Sequence, residues 1–164
     1  MSKEQKTARG EAGRFQIGPG ARLEGADLRG VNLRAECLFG SDLRGSLLDD
    51  ADLSIASLAA CDFQGAVLDG ANMRGADLRG ANLRCTDLQR VDLDGADLDG
   101  ADLRAADLRG ATLVGATLRG CNLSAANLTD ATLDGADLTG ADLSGARLPP
   151  GRLTFKGEPA HKKE

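Results

Sequence analysis

The chain is predicted to be an all-β solenoid, a rod of short strands and corners, and three observations lead there. A five-residue phrase of small residue, polar residue, leucine and two variable residues runs unbroken from Ala21 to Leu148, as in Ala76-Asp77-Leu78-Arg79-Gly80. Its central residue falls at 23, 28, 33 and every fifth position to 148, and only Phe63 and Met73 replace leucine there. Glycine stands two places after the leucine in most units. A period of five matches neither the 3.6 residues of an α-helix nor the 3.5 of a coiled coil, and glycine at this density would cost a helix about 1 kcal/mol per residue against alanine.

Within a unit, the small residue and the leucine lie two apart with a polar residue between them. That alternation sends the outer pair inward and the middle one outward in a strand. The last two positions must turn the chain, and glycine supplies the dihedrals that a corner requires. Each unit therefore reads as a short strand and a corner. The array fills 21–153 if Leu153 closes a last unit, leaving 1–20 as a polar leading segment and 154–164 as a polar trailing one. An open end of such a rod exposes leucines and strand edges. Phe15 and Ile17 before the array, with Leu153 and Phe155 after Pro149-Pro150, read as caps.

The run Ala-(Asp/Asn)-Leu-x-x resembles the pentapeptide repeat family over the whole chain outside its ends. The resemblance implies a right-handed quadrilateral parallel β-helix in which four units make one square coil, leucine and alanine inside. By that rule roughly 26 units make about 6.5 coils, a rod about 31 Å long at ~4.8 Å between strands. The inward small position holds Ala, Ser, Thr, Cys or Val except at Glu36. A carboxylate among leucines is costly, so the first coil is expected to be irregular there, with Glu36 displaced outward.

Composition narrows the function. There is no Trp or Tyr and only 4 Phe, and the net charge is -5, which argues against base stacking and phosphate binding, hence against direct nucleic-acid contact. No window approaches the ~18 apolar residues of a membrane span, and Met1 to Gly20 lacks the apolar stretch of a secretory signal. A cytoplasmic location without membrane attachment is the expectation. Cys61 and Cys121 stand three coils apart, and Cys37 and Cys85 more than two, beyond the ~7 Å limit for a disulfide. With paired cysteine spacing absent and one histidine, His161, in the trailing segment, neither a metal site nor a catalytic base is indicated. The aspartates would radiate from a convex rod, whereas glycosidase and calcium sites need carboxylates that converge. The glycines belong to the corners and form no phosphate-binding motif. The chain reads as a non-enzyme without cofactor.

Two features stand out from the repeat. From Thr86 to Ala146 eleven aspartates face four arginines, against ten acids and seven arginines in 21–85. Asp87, Asp92, Asp94, Asp97, Asp99 and Asp102 would form a belt over all four faces, able to attract a basic partner. Leu47 and Val67 take the usually polar outward position one coil apart, and Phe39 and Ile55 are also off-pattern and outward, a second candidate partner surface. The expected function is a scaffold presenting a rigid charged surface to another protein, as a monomer or a homodimer stacked end to end. The alternative comes from the resemblance: quinolone-resistance and mycobacterial fluoroquinolone-resistance members mimic DNA and bind DNA gyrase. This chain departs from them in its central leucines, in lacking a looped-out insertion and an apolar C-terminal helix, and in its interleaved arginines.

Overall fold

The computed structural model describes residues 7–10, 13–150, 154–157, 159 and 160. From Arg22↔Asp42 to Asn127↔Arg147, every parallel bridge joins residues 20 apart. Four pentapeptides thus close one square coil. Coil 1 is 21–40, coil 2 is 41–60, and so on to coil 6 at 121–140, with 141–148 opening a further turn. Bridged residues stack into four faces. The first carries the column from Arg22 through Asp42 and Asp62 to Asp142, and the second runs from Asp27 through Leu47, Val67 and Asp87 to Arg147. The third climbs from Asn32 to Thr132, and the fourth from Cys37 through Ser57, Asp77 and Asp97 to Asp137.

The backbone of one unit accounts for the motif. Leucine N–H bonds donate to the next coil, as Leu23 to Asp42 O at 2.7 Å, and the second corner residue does likewise, Gly25 to Arg44 O at 2.8 Å. The polar residue donates downward, Asp42 to Ala21 O at 2.9 Å, and the small residue closes the corner, Ala26 to Leu23 O at 3.0 Å. Four of every five N–H groups are thereby satisfied by the coil itself. The fifth belongs to the residue after leucine, and a side chain must supply its acceptor. Asp or Asn just before the leucine does so, as Asp27 Oδ1 for Arg29 N, Asn32 Oδ1 for Arg34 N and Asp52 Oδ1 for Ser54 N at 3.3, 3.1 and 3.0 Å. The polar position is thus an Asx cap of the corner.

Inside, the central leucines of the units from Leu23 to Leu128 are buried, with Phe63 and Met73 at 0 % exposure beside them. Polar residues at the inward small position are tied down. Cys61 Sγ donates to Leu38 O at 2.9 Å, Cys121 Sγ to Leu98 O at 2.8 Å, and Thr86 Oγ1 to Phe63 O at 3.1 Å. Burial pushes the two thiols up to about 11 and about 12, so both stay un-ionised. Coil 1 is not irregular at Glu36. Its N–H reaches Leu33 O at 3.1 Å and its carbonyl accepts from Ser57 N at 2.9 Å, as in every other unit. Glu36 lies in the first coil and is half-buried, so the end of the stack accommodates it without a break in the ladder.

The two ends are finished differently. Before the array, strands β1 (Thr7–Gly10) and β2 (Gly13–Gln16) pair antiparallel, where the sequence suggested a polar segment with Phe15 and Ile17 as cap and no strands. Ile17 is buried and Phe15 packs against the core. Gly18 takes the column of Leu38, its carbonyl accepting from Ala21 N and Ser41 Oγ at 3.1 Å each, so the ladder begins one unit before Ala21. After the array, the spacing slips by one: Asp137 bridges Lys156, 19 residues on. The slip moves Phe155 from a corner column to the inward one, where it packs on the core. Gly157, at φ 82°, lies so close to Thr139 that an added Cβ would stand 2.8 Å from its Cα and N. Leu153 lies outside the described residues.

At the corners, Ile55 has φ 51° where most units have glycine, for example Gly75 at 61°. A β-branched residue in the left-handed region is strained by about 1–2 kcal/mol. Ile55→Gly is expected to stabilise the rod by about 1 kcal/mol in chemical denaturation, whereas Leu98→Asp, which puts a charge inside coil 4, should cost more than ~4 kcal/mol or prevent folding. Gly157→Ala should displace the trailing cap and lower the melting temperature by a few degrees, on the order of 1 kcal/mol.

Candidate interaction surface

All six aspartates of the belt accept a backbone N–H. Asp87, Asp92, Asp97 and Asp102 cap their own corners, at Gln89, Asp94, Asp99 and Arg104 N, with distances of 3.1, 3.1, 3.1 and 3.2 Å. Asp94 and Asp99 cap the coil above instead. There Thr112 and Thr117 stand where Asp is usual, and Val114 N and Arg119 N turn to Asp94 Oδ1 and Asp99 Oδ1 at 2.9 and 3.0 Å. The threonine hydroxyls donate to Asp92 Oδ1 and Asp97 Oδ1 at 3.3 and 2.9 Å. Each belt carboxylate therefore has a structural duty whatever else it does. Their columns fall on all four faces, so the belt encircles the rod, and Asp92 and Asp94 converge on Arg74 Nη1 at 3.3 and 2.9 Å.

Five of the arginines after leucine fold back onto the cap of their own corner, whereas Arg34 reaches Ser54 in the next coil. Arg29 grips Asp27 through Nε at 2.9 Å and Nη2 at 2.5 Å, and Arg44–Asp42, Arg79–Asp77, Arg104–Asp102 and Arg109–Asp107 repeat the fork. Arg119 reaches down to Asp99, and Arg90 to Asp69. The acid excess of the second half is thus partly neutralised in place, as interleaved arginines suggested. The Arg29 guanidinium, with the Arg29 N–H, holds the Asp27 carboxyl at about 2, and arginine forks lower Asp42, Asp77, Asp102 and Asp107 likewise.

Leu47 and Val67 do stack, bridged on the second face, and both are half-buried. Neither offers an acceptor to the corner behind it. Phe39 and Ile55 point outward, 54 % and 52 % exposed, but lie on other corners and do not join Leu47. Val114, 42 % exposed, was not singled out by sequence reasoning, though it occupies a corner usually held by a polar residue. Among the described residues no three His, Cys, Asp or Glu gather as metal ligands. An open groove of about 490 Å³ lies at the leading end, lined by Phe15 to Arg22, with Arg22 its charged side chain. No described helix is long and apolar enough to cross a membrane.

A square parallel coil with capped corners defines a repeat solenoid. The pentapeptide repeats model matches in 8 copies between residues 19 and 149, and the chain belongs to the pentapeptide repeat family. The fold is accordingly the right-handed quadrilateral β-helix. Among solved structures, HetL, involved in heterocyst differentiation regulation in the cyanobacterium Nostoc sp. strain PCC 7120, is 33% identical over 78% of this chain and 81% of its own, with a TM-score of 0.44. A trypsin-treated variant of QnrB1, a plasmid-mediated fluoroquinolone resistance protein, is 20% identical over 85% of each chain with a TM-score of 0.58. AT2G44920 from the Arabidopsis thaliana thylakoid lumen is 30% identical over 74% of this chain and 68% of its own, at 0.24. No curated protein matches the chain.

Because the paired carboxylates titrate below their unfolded range, their stabilisation is fully present above pH ~4 and is lost as pH falls toward 2. The melting temperature is expected to decline over that window, and less steeply for Arg29→Gln, in which Asp27 should return toward ~3.9 when titrated by NMR. A flat melting temperature from pH 5 to 2 would contradict the paired arrangement.

Proposed function

We propose that the protein is a non-enzymatic interaction module that presents a rigid charged β-helix surface to another protein, in the cytoplasm and without a cofactor. The observation that carries the reading is the fixing of surface charge: carboxylates are locked by corner N–H groups and arginines are forked onto them. Groups held this firmly lose little freedom when a partner binds, which favours recognition by shape and charge position. They also diverge from a convex surface, an arrangement suited to docking and unsuited to convergent chemistry on a small substrate. The belt from Asp87 to Asp102 and the Leu47–Val67 pair are the surfaces we assign to the partner.

Binding of gyrase by DNA mimicry is the second reading, favoured by the acid excess of 86–146 and by the fold shared with a fluoroquinolone resistance protein. The arginine forks weigh against it, since a DNA mimic needs anionic charge that a basic partner meets unpaired. Supercoiling by purified gyrase separates the two: the scaffold reading expects no inhibition, and no protection from a quinolone, at micromolar protein.

Belt charge can be tested without breaking the corners, because Asn keeps the capping oxygen and is already used at Asn32, Asn72 and Asn82. Asp87→Asn, Asp97→Asn and Asp102→Asn together should leave thermal unfolding within about 1 kcal/mol of the parent. Partner capture from the source cell should fall about tenfold, equivalent to ~1.4 kcal/mol. Equal capture would leave the belt with structural duties alone. Leu47→Asp with Val67→Asp, in the same assay, tests the apolar pair.

A further inference from the structure

The residue before the central position decides where the arginine after it goes. Behind Asp27, Asp42, Asp77, Asp102 and Asp107 the guanidinium lays its Nε–Nη2 edge on that carboxylate, as Arg29 does on Asp27 at 2.9 and 2.5 Å. Arg34, Arg74 and Arg84 stand instead behind Asn32, Asn72 and Asn82. These asparagines cap their corners as well as aspartate does, Oδ1 accepting from Arg34, Arg74 and Arg84 N at 3.1, 3.2 and 3.3 Å, but they offer no charge for a fork. Arg34 therefore turns Nη1 to Ser54 Oγ at 2.6 Å, and Arg74 turns Nη1 to Asp92 and Asp94. Among the described residues neither arginine has an acceptor on its Nε–Nη2 edge.

Arg34 and Arg74 share one hollow. On the third face they flank coil 2, where a small residue, Ser54, stands after the leucine and is buried. The hollow is about 350 Å³ and is lined by both arginines, Ser54, Ile55, Asn72 and Asp94. The carboxylates around it are already engaged. Asp52 Oδ1 accepts from Ser54 N and Oγ, and Asp92 and Asp94 each cap a corner through Oδ1 and take Arg74 through Oδ2. Ile55 supplies an apolar wall, 52 % exposed, with its Cγ2 beside the Gly75 corner, 3.4 Å from where a Cβ there would stand. It does so at φ 51°, which glycine would hold without strain. Two guanidinium edges shaped for carboxylates and a strained, exposed apolar side chain thus meet in one concavity.

We propose that this hollow docks a segment of a partner protein bearing two carboxylates about 10 Å apart with an apolar side chain between them. The Nε–Nη2 edge of arginine pairs with a carboxylate through two parallel hydrogen bonds. Arg34 and Arg74 stand two coils apart, ~9.6 Å at ~4.8 Å per coil. Glutamates seven residues apart on one helix face are ~10.5 Å apart, and the residues three and four after the first lie between them. An acidic amphipathic helix laid along the rod therefore sets its carboxylates on the two arginines and its apolar residues on Ile55. That chemistry is the opposite of what the belt attracts. The contact is smaller than the roughly 800 Å² per partner of a standard interface, so binding is weak, reversible and sensitive to salt. The inference rests on the interaction-module reading only in taking the rod to bind protein.

A labelled alanine-rich helical peptide with glutamates seven residues apart and leucines three and four after the first tests this. Its fluorescence anisotropy is followed as the full chain is added at about 50 mM salt, with thermal unfolding run on each variant to confirm folding. Saturable binding is expected at roughly 10–100 μM, several-fold weaker at about 0.5 M salt. Arg34→Gln and Arg74→Gln should each weaken it about tenfold. Asn32→Asp keeps Arg34 and the corner cap but supplies the missing fork, and should weaken binding as much as Arg34→Gln does. Asn127→Asp, the same change of charge on the second face, should leave it unchanged. Ile55→Gly should weaken it several-fold although the rod becomes more stable. No binding at 1 mM protein overturns the inference. Equal loss in Asn32→Asp and Asn127→Asp overturns it too, since net charge alone would then govern binding. So does binding of glutarate or inorganic phosphate as tight as that of the peptide, which would make the hollow a site for small free anions. The protein with Asp87→Asn, Asp97→Asn and Asp102→Asn should bind the peptide as the parent does, so a failure here and a failure of the belt in partner capture are separate results.

Discussion

One backbone N–H per pentapeptide has no partner in the coil, and the structure is arranged around that deficit. The other four donors are satisfied by the ladder and the corner turn, as Leu23, Gly25, Ala26 and Asp42 illustrate. Leaving the fifth unsatisfied at every corner would cost on the order of 1 kcal/mol or more each time, a sum comparable with the whole stability of a small domain. A side-chain oxygen two residues earlier resolves it, which is why Asp and Asn dominate the position before leucine. Where Thr112 and Thr117 interrupt that rule, Asp94 and Asp99 in the coil beneath take over the duty.

The acidic character of the protein follows largely from this constraint. Carboxylates accumulate because corners need acceptors, and the arginine after leucine then finds a carboxylate within reach on its own face. The forks at Asp27, Asp42, Asp77, Asp102 and Asp107 are a consequence of geometry repeated every five residues. Being exposed, each pair adds little stability by itself. What the pairs provide is a surface whose charges stand at fixed positions.

Departures from the cap rule acquire meaning against that background. Cys37, Leu47, Ser57 and Val67 each give up an amide or carboxylate acceptor, and all lie in coils 1 to 3. Ile55 adds backbone strain in the same region. In the trailing half the exceptions at Thr112 and Thr117 are compensated from the coil beneath. The leading half of the rod thus holds the residues least explained by folding, and the trailing half holds most of the charge.

The sequence by itself determined the solenoid and the inward leucines, because a strict short period leaves one way to bury a leucine in every unit, while the stacking of residues 20 apart was an expectation carried by the resemblance to the pentapeptide repeat family and is set by the ladder between coils. The burial of Cys61 and Cys121 and the exposure of Phe39 and Ile55 followed from their places in the phrase. Hydrogen-bond accounting between coils was not legible in the same way: the Asx caps follow a local pattern that sequence could have disclosed, but the cross-coil caps at Asp94 and Asp99 depend on what stands directly above them. The paired strands Thr7–Gly10 and Gly13–Gln16, the regular ladder at Glu36 and the one-residue slip that turns Phe155 inward were also decided only in three dimensions. At the ends no further coil imposes the period, so local packing sets the path of the chain.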